Sequence, residues 1–376
     1  MASIQKRPDG VYRARYRDAT GREHARHFKL KKDAHLWLDE QTAALVTGTW
    51  VEPKAGRVTF MGYAEEWRNR QVFRPSTAAL VKLALTRRVY PVIGSRTLAS
   101  LQKGDIQKLV ATLNQRYAPA TVVVTYSYVS TILKDAVQNR SLARTPCVDI
   151  KLPEVEKRRV EPRTTDQVMA IAEAVPHRLR AAVILAAGTG MRRGEVFGLT
   201  EDRVRFLERR IVVDRQLVGV GAGSVPLFGP PKTESSVRDI PLPTKVAEAL
   251  ARHMEMFPPG PGGLLFTNSF GRPWRWSALG DAWRGTAMAA GLKGFDFHEL
   301  RHYYASLLIR YGESVKTVQS RLGHKSAEET LNTYAHLWPD SDDRTREAVD
   351  AALRSADSTG SADSSRTSCA KTMRQA

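Results

Sequence analysis

Residues 296–334 read DFHELRHYYASLLIRYGESVKTVQSRLGHKSAEETLNTY, and they carry most of the candidate chemistry of the chain. Asp296, followed three residues later by Glu299, is typical of a capping box at a helix start. A helix that begins there places His298 and Arg301 in its first turns and on one face. Such a helix end attracts anions through its free N–H groups and its dipole. This stretch therefore predicts a phosphate-binding site.

The second half of the same stretch predicts two further short helices. Gly323 is typical of a left-handed residue that ends a helix, and the turn that it makes would project His324. Ser326 and Glu329 have the spacing of a second capping box, and Tyr334 lies on the helix that this box starts. We therefore expect His324 and Tyr334 to converge with the first His and Arg pair.

Two upstream segments add cationic side chains. Residues 189–195 read TGMRRGE, and a helical spacing would let Glu195 orient Arg192 from behind, as support for a phosphate contact. Residues 230–242 read PPKTESSVRDIPL, which predicts a turn followed by an extended strand. Lys232 would then lie on a mobile hairpin tip that can enter a DNA groove.

These residue types suit attack on a phosphodiester without a metal or ATP. A free phenol has a pKa near 10, so forming a phenolate at pH 7 costs about 4 kcal/mol. Two nearby guanidinium groups would lower that cost and neutralise the charge on a pentavalent phosphate. The departing sugar oxygen needs a proton, which Lys232 or a histidine could donate. The product would be a protein–DNA phosphotyrosine that keeps the bond energy for rejoining.

The charge of the chain points to the same kind of partner. The 376 residues carry a net charge of +19 and a pI near 10.1, while the hydrophobic content of 42% is ordinary for a globular protein. A surplus of this size favours a polyanion, and nucleic acid is the usual one. The alternative is a solvated basic surface with no such partner.

Cysteine content and hydropathy indicate the compartment. Cys147 and Cys369 are the only cysteines, which leaves neither a disulfide framework nor a thiolate zinc cluster. The N-terminal residues lack the apolar stretch of a secretion signal, and no apolar run approaches the length of a membrane span. We expect a cytoplasmic protein without membrane contact.

The N-terminal segment is strongly basic. Its first 32 residues hold ten Lys or Arg against three acids, a net of +7. Residues 12–17, YRARYR, alternate in a way that predicts a strand with Arg13, Arg15 and Arg17 on one face. A turn at 18–21, a return strand and a helix from about residue 31 would complete a small three-stranded sheet with one helix behind it. The arginine face is expected to contact DNA, and a solvated edge sheet is the alternative.

The rest of the chain predicts an α+β multidomain protein. Residues 58–152 show helical spacing of apolar residues, with Pro75 opening one helix and Pro91 closing it. Residues 151–162 are charged and aperiodic, which is typical of a linker. The predicted domains are an N-terminal sheet domain (1–57), a helical domain (58–152), a mostly helical domain with a small antiparallel sheet (163–342) and a largely disordered tail (343–376).

In combination, the quoted motifs resemble the catalytic boxes of the tyrosine recombinases, and phage-type integrases are the closest subgroup. The resemblance covers about residues 163–342 and rests on TGMRRGE at 189–195, PKT at 231–233 with RDIP at 238–241, HELRH at 298–302, LGH at 322–324 and TY at 333–334. It implies that Arg192 and Arg301 bind the scissile phosphate and that Tyr334 is the nucleophile forming a 3′-phosphotyrosine. It also implies roles for the other residues: Lys232 as acid for the 5′ oxygen, His298 as acid/base partner, His324 as hydrogen-bond donor to the phosphate and Glu195 as supporting carboxylate.

The resemblance also implies partners. The expected substrate is double-stranded DNA with core and arm attachment sites, bound by a homotetramer that integrates and excises a mobile element in a bacterial cell, at the nucleoid. An excisionase and a DNA-bending protein would be accessory partners. Residues 1–57 would bind arm sites, and the next two domains would clamp the core site. Neither a cofactor nor a metal is expected.

Three alternatives stay open at this point. HELRH at 298–302 also spells HExxH, which would make His298 and His302 zinc ligands and Glu299 a base. The chain could instead be a DNA-binding regulator that kept the fold without the chemistry. A type IB topoisomerase-like enzyme would use similar chemistry without pairing two sites.

Overall fold

The structure is a computed structural model, and it describes residues 2–18, 20–47, 50, 55–156, 159–219, 225–231, 233–338, 345–347 and 349–354. The chain divides into two compact units, residues 1–157 and 158–376. Helices dominate both, and small antiparallel sheets lie at the N-terminus and in the second unit. The predicted fold class is confirmed.

A three-stranded antiparallel sheet opens the first unit, as the alternating pattern predicts. Its strands, in the order β1-β2-β3, are Ser3–Lys6, Tyr12–Arg17 and Glu23–Phe28, and helix α1, Lys31–Val46, packs on one face. Ala14 and Tyr16 of β2 are buried against α1. The opposite face of β2 carries the three arginines, because successive side chains of a strand alternate between faces.

The same unit contains a second core, made by helices. These are α2 Phe60–Arg70, α3 Pro75–Ala84, α4 Tyr90–Ile93, α5 Lys103–Asn114 and α6 Pro119–Gln138. The predicted helical stripes of α5 and α6 are buried in this core. Thr59 caps α2 by accepting the Gly62 N–H at 3.1 Å.

The prediction that Pro91 ends a helix is wrong. A wider π-helical turn, Leu85–Val89, follows α3 and leads directly into α4, so Pro91 lies inside the helical segment. The reason is that Pro91 occupies the first turn of α4, where the missing N–H leaves no helical bond unmade.

The second unit contains most of the predicted chemistry. Its helices are α7 Thr165–Ala174, α8 His177–Thr189, α9 Arg193–Val196, α10 Thr244–Met256, α11 Trp276–Ala289, α12 Glu299–Arg310, α13 Val315–Leu322 and α14 Ala327–Tyr334. Strands β4 Val204–Arg205, β5 Arg210–Val213 and β8 Arg238–Pro241 form one antiparallel sheet, and β6 Gln216–Val218 pairs with β7 Leu227–Gly229. Helix α12 packs against α8 and α13, and α13 packs against α14. This packing brings the ends of several short elements together.

The helix ends of this unit agree only in part with the predicted caps. Gly323 ends α13 in the left-handed conformation, at φ 64°, as predicted. At Ser326, only the serine half of the second capping box forms, accepting the Glu329 N–H at 3.4 Å. The Glu329 carboxylate accepts instead from the Lys325 N–H, at 3.3 Å.

The first predicted capping box, at Asp296, is wrong. Asp296 accepts the His298 N–H at 3.2 Å, and α12 begins only at Glu299. The Glu299 carboxylate pairs with Arg163 from the segment before α7, so it is not available to close the box.

The C-terminal region is described only in part. Of the predicted tail, 343–376, the structure describes residues 345–347 and 349–354, which are helical, and the remainder lies outside the described residues. Among the helices that the structure describes, none has both the length and the apolar character needed to cross a bilayer.

Candidate active site at the C-terminal end of helix α13

Three arginines from three separate elements meet at one helix end. The acceptors are successive carbonyl oxygens at the end of α13, and the contacts are Arg238 Nε to Arg321 O at 2.8 Å, Arg301 Nη2 to Leu322 O at 2.7 Å and Arg192 Nη2 to Gly323 O at 3.1 Å. The unsatisfied carbonyls and the negative end of the helix dipole favour cations at this place. The spacing of the three guanidinium groups is therefore set by the backbone of α13.

Arg301 is the most deeply buried of the predicted phosphate ligands. It is 3% exposed on α12, and its Nη1 donates to Gly190 O at 2.7 Å. Burial, followed by the charge of Arg192, lowers the pKa of Arg301 to about 9. The group therefore remains a cation at neutral pH, held by two backbone carbonyls in a fixed orientation.

Arg192 lies where α8 ends and α9 begins, and it pairs with Glu195 as predicted. The Arg192 N–H donates to Glu195 Oε2 at 2.9 Å, and its Nη1 donates to Glu195 Oε1 at 3.1 Å and to Ser236 Oγ at 3.2 Å. The Arg192 side chain is 25% exposed, whereas Glu195 is 2% exposed. The carboxylate therefore fixes Arg192 from the interior and leaves part of its side chain accessible.

Arg238 is a site residue that the sequence reasoning missed. It donates to both oxygens of Glu195, at 2.9 and 3.3 Å, and to Ser236 O at 2.9 Å. Burial alone would raise the pKa of Glu195, but Arg238 and then Arg192 outweigh it and hold the pKa below its ordinary value. The sequence carried a signal for this contact. Arg238 and Ile240 lie two residues apart in β8 and so share one face of the strand, and the apolar Ile240 indicates that this face is buried. An arginine that points into the interior needs a buried acceptor, for which the Glu195 carboxylate is a candidate.

Tyr334 ends α14 inside this site, and its phenol is almost completely enclosed. The residue is 1% exposed, and its Oη lies 2.8 Å from His302 Nδ1. Burial raises the pKa of Tyr334 to about 12, although the charges of Arg301 and Arg192 oppose this. Forming the phenolate at pH 7 therefore costs about 7 kcal/mol. The two guanidinium groups lower this cost, as expected, but burial raises it by more, so the cost exceeds the value of about 4 kcal/mol for a free phenol.

The three histidines near Tyr334 are placed differently from one another. His298 lies at the N-cap of α12 and meets the His302 ring edge-on, with centroids 4.9 Å apart. His324 lies parallel to the Tyr334 ring at 6.5 Å, and its Nδ1 is 2.8 Å from Thr330 Oγ1. Burial, followed by Arg301, lowers the pKa of His324 to about 4. Of the three, His302 contacts the phenolic oxygen, although it was not among the predicted catalytic residues.

Lys232 lies outside the residues that the structure describes. Its neighbour Thr233 has its Oγ1 2.9 Å from Ser236 Oγ, and Ser236 in turn accepts from Arg192. Thr233 is therefore connected to the arginine cluster through this hydroxyl pair.

The contacts of the HELRH segment do not favour a zinc site. Glu299 is paired with Arg163, and His302 directs its Nδ1 to Tyr334. Within the described ranges, no three His, Cys, Asp or Glu side chains are grouped so that they could hold a metal ion.

The predicted DNA-binding arginines lie together on the exposed face of the N-terminal sheet. Arg13 Nη2 is 3.3 Å from Glu23 Oε1, and Arg15 donates to Ser3 Oγ at 2.8 Å. The side chains of Arg13 and Arg15 are 43% and 44% exposed, and Arg17 is also exposed. Glu23 therefore offsets part of the positive charge of this face.

Comparison with known families identifies the second unit. Residues 158–340 match the family model described as the phage integrase family. This match identifies residues 158–340 as a tyrosine recombinase domain of the phage integrase family. The integrase of Mycobacterium phage D29 is 26% identical over 312 residues, which cover 80% of this chain and 82% of that protein.

Solved structures of tyrosine recombinases share the fold. The Tn1549 transposon integrase in complex with a circular intermediate DNA superposes with a TM-score of 0.66 at 20% identity, covering 77% of this chain and 97% of that one. The lambda integrase tetramer bound to a Holliday junction gives a TM-score of 0.55 at 20% identity, covering 87% and 96%. The phage-type recombinase is thus an enzyme of site-specific DNA recombination, and neither a silent regulator nor a zinc hydrolase is favoured.

Proposed function

We propose that this recombinase is an integrase that cuts and rejoins DNA at attachment sites through a 3′-phosphotyrosine at Tyr334, and so integrates and excises a mobile element. The observation that supports this proposal is the grouping of Tyr334 with Arg192 and Arg301 beside one helix end. Fixed cations next to a hydroxyl nucleophile are what a pentavalent phosphate requires.

Within this proposal each predicted residue has one task. Arg192 and Arg301 bind the scissile phosphate, with Glu195 holding Arg192 in place. Lys232 protonates the departing 5′ oxygen. The two histidines of the predicted set, His298 as acid/base partner and His324 as hydrogen-bond donor to the phosphate, complete the site.

A covalent adduct tests the proposal directly. The substrate is a nicked core-site duplex, whose sequence is taken from the end of the mobile element that encodes this protein. One DNA strand should become covalently attached to the protein, and the nick should trap this adduct. Tyr334→Phe should abolish the adduct, whereas Tyr311→Phe, which changes an 80% exposed tyrosine one residue after α12, should retain it. The reaction should proceed fully in excess chelator. An adduct that persists in Tyr334→Phe, or strand cleavage that needs magnesium, would refute the proposal.

The assembly that we propose is a homotetramer on DNA. Its support is the shared fold of the lambda integrase tetramer bound to a Holliday junction. We propose that residues 58–152 and 163–342 clamp the core site, that residues 1–57 hold arm sites through Arg13, Arg15 and Arg17, and that residues 343–376 form a tail. The reaction would take place in the bacterial cytoplasm, at the nucleoid, with an excisionase and a DNA-bending protein as accessory partners.

Removing the N-terminal segment tests the division of labour. A chain lacking residues 1–57 should lose recombination between full attachment sites but should still form the adduct on a core-site duplex. The reason is that contacts of residues 1–57 with arm sites would help to assemble the protein–DNA complex, whereas they would not touch the phosphate that reacts. Equal loss of both activities would contradict the arm-site role of this segment.

A further inference from the structure

The phenolic oxygen of Tyr334 has a partner that the predicted catalytic set does not include. His302 Nδ1 lies 2.8 Å from Tyr334 Oη, which is hydrogen-bond distance. His324 faces the same phenol with the plane of its ring and uses its Nδ1 on Thr330. His298 meets His302 and not the phenol. Of these three histidines, His302 is the one that hydrogen-bonds to the atom that has to lose a proton.

We propose that His302 is a catalytic residue that accepts the phenolic proton when Tyr334 attacks the phosphate. The inference rests on the proposed function, because it needs Tyr334 as the nucleophile. It assigns the base of the cleavage step to His302, in place of the acid/base role given above to His298. His302 is adjacent to the phosphate-binding Arg301 and on the same helix.

The step balances with groups that the site holds. The neutral imidazole of His302 carries its hydrogen on Nε2 and accepts the O–H of Tyr334 at Nδ1. The Oη–P bond forms as the proton reaches Nδ1, and His302 becomes an imidazolium. The P–O5′ bond breaks, and the 5′ oxygen takes a proton from a second group, for which Lys232 is proposed. On rejoining, the 5′ hydroxyl attacks the phosphotyrosine and gives its proton back to the group that protonated it in cleavage. The Oη–P bond breaks, and Nδ1 returns its proton to the leaving phenolate.

The surroundings keep His302 ready for this task. Burial lowers the pKa of His302, Arg301 acts in the same direction, and Glu299 and Asp296 oppose them. The Glu299 carboxylate is itself paired with Arg163, and the His298 ring packs edge-on against His302. A neutral imidazole at pH 7 is the form that can accept a proton. A base in this position increases the rate of the cleavage step by about 10²- to 10⁴-fold, which is typical of general base catalysis.

Two substitutions separate proton transfer from positioning. His302→Ala removes both the group that takes the proton and the hydrogen-bond acceptor for the Tyr334 hydroxyl. His302→Asn places an amide oxygen near the former Nδ1, so it can still accept the phenolic hydrogen bond but cannot take the proton. If His302 only held Tyr334 in place, His302→Asn would react like the wild type.

The rate of adduct formation in a single turnover is the measurement. The probe is the same core-site duplex with sulfur in place of the bridging 5′ oxygen, because a thiolate leaves without needing a proton. A slower reaction on this probe then reflects the tyrosine side of the step. His177→Asn, an exposed histidine at the start of α8, is the matched control and should react at the wild-type rate.

We expect both His302 variants to react about 10²- to 10⁴-fold more slowly than the wild type. The wild-type rate should rise below pH 6.5 and then level, whereas the rate of His302→Asn should keep rising with pH as hydroxide replaces the base. A His302→Asn rate within threefold of the wild type, with an unchanged pH profile, would overturn the proposal. If the wild type itself forms no adduct, or if Tyr334→Phe still does, the proposed function fails instead, and the two results are distinct.

Discussion

Gly323 connects the arginine cluster to His324, and Gly323→Ala tests that connection. The residue ends α13 at φ 64° and ψ 47°, and its carbonyl oxygen accepts from Arg192 at 3.1 Å. A side chain at this position therefore acts both on the backbone conformation and on the guanidinium groups packed around it.

The expected cost has two parts. An L-residue in the left-handed region costs about 1–2 kcal/mol. A Cβ at Gly323 would also lie 2.9 Å from Ser235 O and 3.1 Å from Arg238 Nη1. The first of these is a backbone atom that cannot move independently, and overpacking of this kind adds about 1–3 kcal/mol. Gly323→Ala should therefore lower the free energy of unfolding by about 2–5 kcal/mol in total.

Gly312→Ala is the matched control. Gly312 also follows a helix, at φ 83°, but an added Cβ there would meet no atom within 4 Å. It should therefore show only the conformational cost of about 1–2 kcal/mol. Urea unfolding gives the two free energies, and the rate of adduct formation on the core-site duplex should fall at least tenfold for Gly323→Ala alone. Equal destabilisation by the two variants, with unchanged rates, would show that the end of α13 does not organise the site.

Three further perturbations have defined outcomes. Arg238→Ala breaks a buried pair with Glu195 and should cost about 3–5 kcal/mol in urea unfolding, whereas Arg210→Ala, in an exposed pair with Asp239, should cost at most about 1 kcal/mol. Burial and Arg301 lower the pKa of His324 from 6.5 to about 4 in the folded protein. As the pH falls, His324 is therefore protonated in the unfolded chain before it is protonated in the folded one, which favours unfolding. Stability should be intact above pH 6.5 and decline towards pH 4, and His324→Gln should flatten that decline in unfolding titrations. The third perturbation replaces the three arginines of the sheet face, Arg13, Arg15 and Arg17, by Ala. The slope of log K against log salt concentration for arm-site binding should become shallower by about 2.7, at about 0.9 per phosphate contact. The slope for a core-site duplex should not change.

The parts of the fold that depend on neighbouring residues could be predicted from the sequence. The alternation of residues 12–17 gave the buried and exposed faces of β2, since strand periodicity is local. The end of α13 could be predicted from Gly323, because glycine adopts the left-handed conformation more readily than other residues. In each case the deciding interactions lie within a few positions along the chain.

The features that the sequence reasoning got wrong or missed depend on contacts between distant residues. The capping box at Asp296 fails because Glu299 pairs with Arg163, which lies 136 positions away. The phenol of Tyr334 has a raised pKa because α12, α13 and α14 enclose it, and no spacing along the sequence measures that enclosure. The contact of His302 with Tyr334 joins residues 32 positions apart, so the quoted motif contained the histidine without showing its partner.

The end of α13 makes phosphate binding and the position of the nucleophile depend on the same backbone. Its last carbonyls orient the guanidinium groups of Arg192 and Arg301, while the left-handed turn at Gly323 leads to His324 and on to α14. A shift of α13 by a fraction of an ångström would therefore move the cations and Tyr334 together. Because transition-state stabilisation depends on donors that are already in place, such a shift should lower the cleavage rate more than it lowers DNA affinity. DNA affinity, in contrast, is expected to depend on the number of phosphates that the whole protein surface neutralises.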